Sequence, residues 1–220
     1  MKTVGRLIAG VLTFVVTFGI AASTAWAYTY NRNAARDYSN KYSCNSTQCR
    51  NSSYVDFGGS DCTNFVSQSL KAGSFPSEKH PYDFWQAEWY YSSKSDYSRS
   101  WSLVSDFKKY MVDQRKRAVI KSTTMSAQYT AASTGDVFMY DWGTGDGYSH
   151  LSIHPGYGAF ADFYDSKNAK RYRSVTSGTG DWLNQHATDR YHAPWNWGYW
   201  VQRDSTVRSK MKTVIISFTP

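Results

Sequence analysis

A cysteine side chain attacks as its thiolate, so a nucleophilic cysteine needs a depressed pKa and a base within reach. Cys62 stands in a setting that supplies the first of these. It sits in "GGSDCTNFVSQSLKAG", where a glycine pair precedes Ser60 and Asp61 as candidate N-caps and Phe65, Val66 and Leu70 follow at helical spacing. That pattern places Cys62 in the first turn of a core helix entered from a glycine loop. Unpaired amides there favour the thiolate, and the N–H of Cys62 itself would point to where an oxyanion forms.

The base should be an imidazole, and five histidines compete: His80, His150, His154, His186 and His192. His150 is the best placed, because it opens the strand that follows the turn-rich "DWGTGDGYS". His154 lies four residues further along and is followed at once by Pro155, so it is the reserve. A third polar group must orient the imidazole from a neighbouring strand. "LNQHATDRYH" offers His186 first, with Asp189 and Asn184 behind it and His192 beyond. Cysteine at a helix start, histidine at a strand start and a polar residue on a later strand form the order that a cysteine hydrolase needs.

Metal chemistry is the weaker reading. Cys62, His150 and His186 could form a three-ligand zinc site, but they lack the close spacing of metal signatures. Asp141 and Asp146 flank glycines as a calcium loop would, yet oxygen side chains are missing at the third and fifth positions and Ser152 stands where a bidentate Glu belongs. A tight hairpin explains that loop better. No metal and no cofactor are expected.

The remaining cysteines bear on compartment. Residues 1–27 combine Lys2 and Arg6, an apolar run from Leu7 to Ile20 and an Ala-x-Ala-like site at Ala25 to Ala27, the pattern of a cleaved signal peptide. The run is shorter than the roughly 20 residues that span a bilayer, so no stable membrane anchor is expected after cleavage. An exported chain can keep disulfides. Cys44 and Cys49 are close neighbours in "SCNSTQCR", and a bridge between them would contribute roughly 2 kcal/mol. Cys62 either joins one of them or is a free thiol, and its context favours the second.

The elements that must position these residues read as helices first and strands later, hence an α+β domain over 28–220. Ala34, Ala35, Tyr38 and Tyr42 mark a first helix, Gly73 and Pro76 close the second, and "WSLVSDFKKYMV" carries Val104, Phe107 and Met111 at helical spacing. "GDVFMYDW" and "HLSIH" are a strand pair, "DWLNQHATDRY" another strand and "MKTVIISFTP" the last. Residues 121–134 read mostly as loop.

With 220 residues, 41% apolar and 17% aromatic, the chain suits one domain with its own core and is too hydrophobic for a disordered tail. Its formal net charge is +8, and +6 without Lys2 and Arg6. A basic exported protein is drawn to anionic wall polymers, although the same charge also serves solubility. Nucleic-acid binding would need more clustered basic residues than Arg115, Lys116 and Arg117, which read as a solvated helix end. The aromatic stretch from Tyr82 to Trp101 is either packed core and surface or a wall that binds glycans.

Taken together, "YNRNAARDYSNKY", "GGSDCTNFVSQSLKAG", Ser100–Trp101, "GDVFMYDWGTGDGYSHLSI" and "NQHATDRYHAPW" resemble the putative amidase domain of exported bacterial proteins, a branch of the papain-like, NlpC-type cysteine peptidases and amidases. The resemblance runs from Tyr28 to about Trp197. It implies a papain-like fold with helices on a central antiparallel sheet, Cys62 as nucleophile, His150 as base and a third residue near His186. Asp61 matches the acidic residue before the family's cysteine. Ser149 stands where relatives often have an acidic residue, and "FYDSKNAKRYRSVTSGTG" is a long insert, so both leave the third residue open. The expected protein is a secreted, monomeric cysteine hydrolase that acts on peptidoglycan amide bonds of the bacterial cell wall. An acyltransferase of the same fold or a non-catalytic glycan-binding module are the alternatives.

Overall fold

Hydrophobic alternation organises this molecule around one sheet buried on both faces. The structure is a computed structural model that describes residues 29–44, 47–80, 88–160, 163–165, 170–172 and 178–219. The expected signal peptide, 1–27, lies outside the described residues, as do Tyr82, Phe84 and Trp85 of the aromatic stretch and much of the polar insert.

In chain order the elements are α1 (Arg32–Tyr42), α2 (Cys62–Ala72), β1 (Tyr91–Ser93), β2 (Asp96–Tyr97), α3 (Arg99–Ser102) and α4 (Val104–Lys108), which runs on into a π-helical turn at Lys109–Gln114. Then come β3 (Ala118–Ser122), β4 (Val137–Asp141), β5 (Tyr148–Ile153), β6 (Tyr157–Ala159), β7 (Phe163–Asp165), β8 (Lys170–Tyr172), β9 (Thr179–Gln185) and β10 (Arg190–Pro194). Helices α5 (Trp197–Val201) and α6 (Ser205–Lys210) precede the final strand β11 (Lys212–Phe218). The main sheet runs β10-β9-β5-β4-β11-β3, with β6 added on β9, and every pairing is antiparallel. Strands β1–β2 and β7–β8 form two separate small ladders.

The period of two in β4 divides the core. Val137 and Met139 face the helices and join Phe65, Val66, Leu70, Leu151 and Ile153 in one buried cluster. Phe138 and Tyr140 face the other way and pack with Leu183, Trp195, Met211 and Ile215. The fully buried apolar side chains of α2, Phe65, Val66 and Leu70, contribute roughly 1.5–3 kcal/mol each, so the helix that begins with Cys62 is firmly held. Its far end is fixed just as closely. Asn31 N donates to Gly73 O at 2.9 Å, and a Cβ at Gly73 would come within 2.6 Å of the Tyr30 ring.

Three expectations change. "WSLVSDFKKYMV" is not one helix: Leu103 is extended between α3 and α4, and the π turn that follows carries Tyr110 and Met111 inward together. "DWLNQHATDRY" is not one strand, because Ala187 and Thr188 take positive φ (63° and 80°) and turn the chain from β9 into β10. The basic run is not a solvated helix end either. Arg115 and Arg117 both pair with Glu78, and Arg117 also reaches Tyr110 Oη at 2.8 Å.

The described part of the aromatic stretch is largely core. Trp89, Tyr91 and Trp101 are buried, and the two indoles are anchored on α2: Trp89 Nε1 donates to Ser67 Oγ at 3.1 Å and Trp101 Nε1 to Asn64 Oδ1 at 2.7 Å. These bonds satisfy indole donors that would otherwise be buried alone. The "DWGTGDG" loop is the β4–β5 hairpin turn, where Asp141 accepts from Gly143 N at 2.9 Å and Asp146 from Thr144 Oγ1 at 2.9 Å.

Candidate active site

Cys62 is the first residue of α2, as its glycine loop and apolar spacing require. Asp61 takes the N-cap position but does not cap. Its Oδ1 accepts from Phe57 N at 3.0 Å and Asn64 Nδ2 at 2.8 Å, while Oδ2 lies 2.5 Å from His186 Nδ1. Ser60 belongs to the 3-10 turn Gly58–Ser60 and is no cap either. No side chain therefore closes the helix start beside the thiol, and its partial positive charge stays available there.

The disulfide joins Cys44 to Cys49 and leaves Cys62 as a free thiol, 6% exposed. Burial pushes the Cys62 thiol up, but the charge and hydrogen bond of His150, the Leu151 N–H and the Thr63 hydroxyl outweigh it and bring the pKa down to about 7. Burial conversely pulls His150 down, while the Cys62 thiolate and the bond to Gln185 carry it above its ordinary value. The two groups thus stabilise each other's charged form in a site where water screens little.

Two features of β5 bring His150 to the thiol. The β4–β5 register runs from Val137↔Ile153 to Tyr140↔His150 and then shifts to Asp141↔Tyr148, so Ser149 is an extra residue, a bulge directly before the histidine. Bulges bend a strand and re-aim the neighbouring side chain. Strands β5 and β9 are paired at Ile153↔Asn184, and Leu151, two residues away, directs its N–H to Cys62 Sγ instead.

The residue that orients His150 is Gln185, which sequence reasoning did not consider. His150 Nε2 donates to Gln185 Oε1 at 2.9 Å, and Gln185 Nε2 donates to Thr188 O at 2.9 Å. Strand parity decides this. Asn184 pairs with Ile153 and shares its helix-facing side, so Gln185 falls on the opposite side, that of His150 and Ser152.

His186, the expected orienting residue, is directed elsewhere. Its ring stacks on Phe65 with centroids 3.9 Å apart, Nδ1 meets Asp61, and Nε2 donates to Tyr42 O at 2.8 Å. Both nitrogens are thereby engaged away from His150. Asn184 donates to Ser39 Oγ at 3.1 Å and Asn40 Oδ1 at 2.8 Å, tying β9 to α1. Asp189 holds Arg50 through two bonds, at 2.9 and 2.5 Å. His154, the reserve, lies 3.6 Å from Asp181 and packs edge-on against Phe138. His192 stacks on Trp182, and burial lowers its pKa to about 4. His80 bonds Glu78 at 2.9 Å.

A cleft adjoins His150 through Trp142, whose ring centre is 5.7 Å from that of His150 and 6.1 Å from that of Trp197. Thr144, Val201, Gln202, Arg203 and Met211 also line it. Gly198 makes room for Trp142: a Cβ there would lie 2.5 Å from the ring. The assembly can present a polarised thiol, a base with a fixed tautomer and uncapped helix amides beside an aromatic cleft. No group of three or more histidine, cysteine, aspartate or glutamate side chains among the described residues could hold a metal ion.

Comparison with known proteins gives the chain its lineage. The chain is 32% identical over 113 residues to the uncharacterized protein YjcM of Bacillus subtilis, which covers 51% of this chain and 23% of that protein. It is 33% identical over 131 residues to the uncharacterized protein YhbB of the same organism, covering 58% of this chain and 37% of the relative. The chain thus matches well under half the length of either. No solved structure matches it. The putative amidase domain matches residues 29–209, nearly the whole described chain, and the protein belongs to that family.

Proposed function

We propose that this protein is a secreted cysteine hydrolase of the papain-like, NlpC-type kind that cleaves an amide or peptide bond in bacterial cell-wall peptidoglycan. The observation that carries the reading is the relay of free Cys62, His150 and Gln185 at the open start of α2. Membership of an amidase family supports amide chemistry, and the excess of basic residues suits an anionic wall.

In this mechanism Gln185 accepts from His150 Nε2–H, which leaves Nδ1 to take the thiol proton. Cys62 Sγ attacks the carbonyl carbon, and the Cys62 N–H stabilises the oxyanion. His150 then gives its proton to the leaving amine as the C–N bond breaks, leaving a thioester on Cys62. Water that loses its proton to His150 hydrolyses the thioester and restores the thiol. The cleft behind Trp142 receives the part of the substrate next to the scissile bond.

Incubating purified peptidoglycan with the wild-type protein and with Cys62→Ala, and identifying the products by mass spectrometry, tests the reading. New amine and carboxyl ends should appear with the wild type alone. Equal release by Cys62→Ala would refute the cysteine mechanism.

A further inference from the structure

The two halves of the relay come from different parts of the chain. The nucleophile arrives through the loop at 56–61, whereas Gln185 is anchored by the turn at 186–189, whose Thr188 carbonyl holds its amide. Relative movement of these segments would carry Cys62 away from the imidazole that Gln185 holds, because the β5–β9 pairing does not itself bind the loop to the turn.

Two side chains span the join: His186 of the turn meets Asp61 of the loop directly, and Arg50 reaches both segments from outside them. Arg50 Nε and Nη2 grip both oxygens of Asp189 in the turn. Its Nη1 bonds the Asp56 carboxylate, donates to Gly58 O at 3.0 Å and lies 3.8 Å from Asp61 Oδ2, the residue before the nucleophile. The Arg50 side chain is only 9% exposed, and those of Asp189 and Asp61 4% and 2%. A planar guanidinium with a fixed fork of donors can hold three carboxylates and a carbonyl at once, which an ammonium cannot.

Arg50 is itself fixed by what precedes it. It follows Cys49, whose bridge to Cys44 closes the short loop after α1. On the other side of that bridge, the carbonyl of Tyr42 accepts from His186 Nε2. The disulfide loop therefore touches the 186–189 turn from both of its ends, through Tyr42 and through Arg50.

We propose that Arg50, tethered by the Cys44–Cys49 disulfide, is a positioning residue that, beside the His186–Asp61 bond, joins the loop delivering Cys62 to the turn anchoring Gln185, and so keeps the thiol against His150. This rests on the hydrolase reading for its consequence in turnover, but its consequence for Cys62 itself needs no substrate. The groups that lower the Cys62 pKa are His150, Leu151 and Thr63, so loss of Arg50 acts on the thiol through geometry.

The test measures the rate at which Cys62 is alkylated by iodoacetamide against pH, in the intact protein, for wild type, Arg50→Gln and Asp189→Asn, alongside thermal melting. The wild-type midpoint should fall near pH 7, and in both variants it should move up by a unit or more, with the rate at pH 7 falling roughly tenfold. Arg50→Lys should restore melting more fully than the midpoint. Opening the bridge with Cys44→Ser/Cys49→Ser should shift the midpoint the same way by a smaller amount. If Arg50→Gln does not fold, Asp189→Asn decides alone, because its amide keeps the shape of the side chain but puts an N–H2 donor where one of the two acceptors of the guanidinium stood, which breaks the two-bond grip. A folded variant of either kind with a wild-type midpoint overturns the proposal. If the midpoint shifts as expected but wild type and Cys62→Ala hydrolyse walls equally, the hydrolase reading fails and the positioning role stands.

Discussion

The bond from His150 Nε2 to Gln185 Oε1, 2.9 Å long, determines which ring nitrogen serves the thiol. The glutamine amide nitrogen is already committed to Thr188 O, so its oxygen faces the ring and can only accept. His150 therefore carries its proton on Nε2 in the neutral form, and Nδ1 is the nitrogen left for the base role in the proposed mechanism.

Gln185→Ala should lower kcat by roughly a hundredfold with little change in KM, because a misplaced imidazole costs transition-state geometry and not substrate binding. His186→Ala should behave differently. It removes a buried partner of Asp61 and the stack on Phe65, so the protein should lose on the order of 3 kcal/mol of stability, while the folded fraction, in which Arg50 still joins the loop to the turn, keeps most of its turnover. Steady-state kinetics beside urea melts of both variants separate the two roles.

The pH dependence follows from the direction of the two shifts. The Cys62 thiol is held below its ordinary value, at about 7, so kcat/KM should rise as pH increases through that value and thiolate accumulates. His150 is held above its ordinary value, so the protonated donor for the leaving amine persists past neutrality and is lost on the alkaline side. A bell-shaped profile with its acid limb near 7 is expected from initial rates in constant-ionic-strength buffers, and its limbs belong to the pair jointly.

Much of this site was legible in the sequence, and the part that was not has a definite cause. Glycine loop, acidic residue and helical spacing located Cys62 at a helix start, and turn chemistry located His150 at a strand start. The orienting residue was missed because reading "DWLNQHATDRY" as one strand left its parity unfixed. Its neighbours Asn184 and His186 looked more reactive, yet a shift of one residue moves every side chain to the other face. The pairing Ile153↔Asn184 supplies the parity, and it is a long-range fact that local sequence does not hold. Arg50 carried no signal at all, since its partners lie far away at Asp189 and near at Asp56 and Asp61.

Gly198→Ala tests the cleft. The new methyl group would collide with the Trp142 ring, which forms the wall between the cleft and His150. KM should rise several-fold while Cys62 alkylation keeps its wild-type pH profile. A stability loss of about 1–3 kcal/mol from overpacking should accompany it.

Attraction to the wall should be electrostatic, given the net positive charge. Retention of Cys62→Ala on purified walls should fall as salt rises through the physiological range, because screening shortens the reach of surface charge to about 8 Å. Sedimentation with walls across a salt series reads this directly, and retention that ignores salt would point to aromatic stacking instead.

If His150 activates Cys62, the pH profile of Cys62 alkylation must differ between wild type and His150→Ala when read by peptide mapping without reductant. The account predicts a wild-type midpoint near pH 7 and a His150→Ala midpoint displaced above 8, with the Cys44–Cys49 bridge intact in both. Superimposable profiles in the two proteins would contradict it.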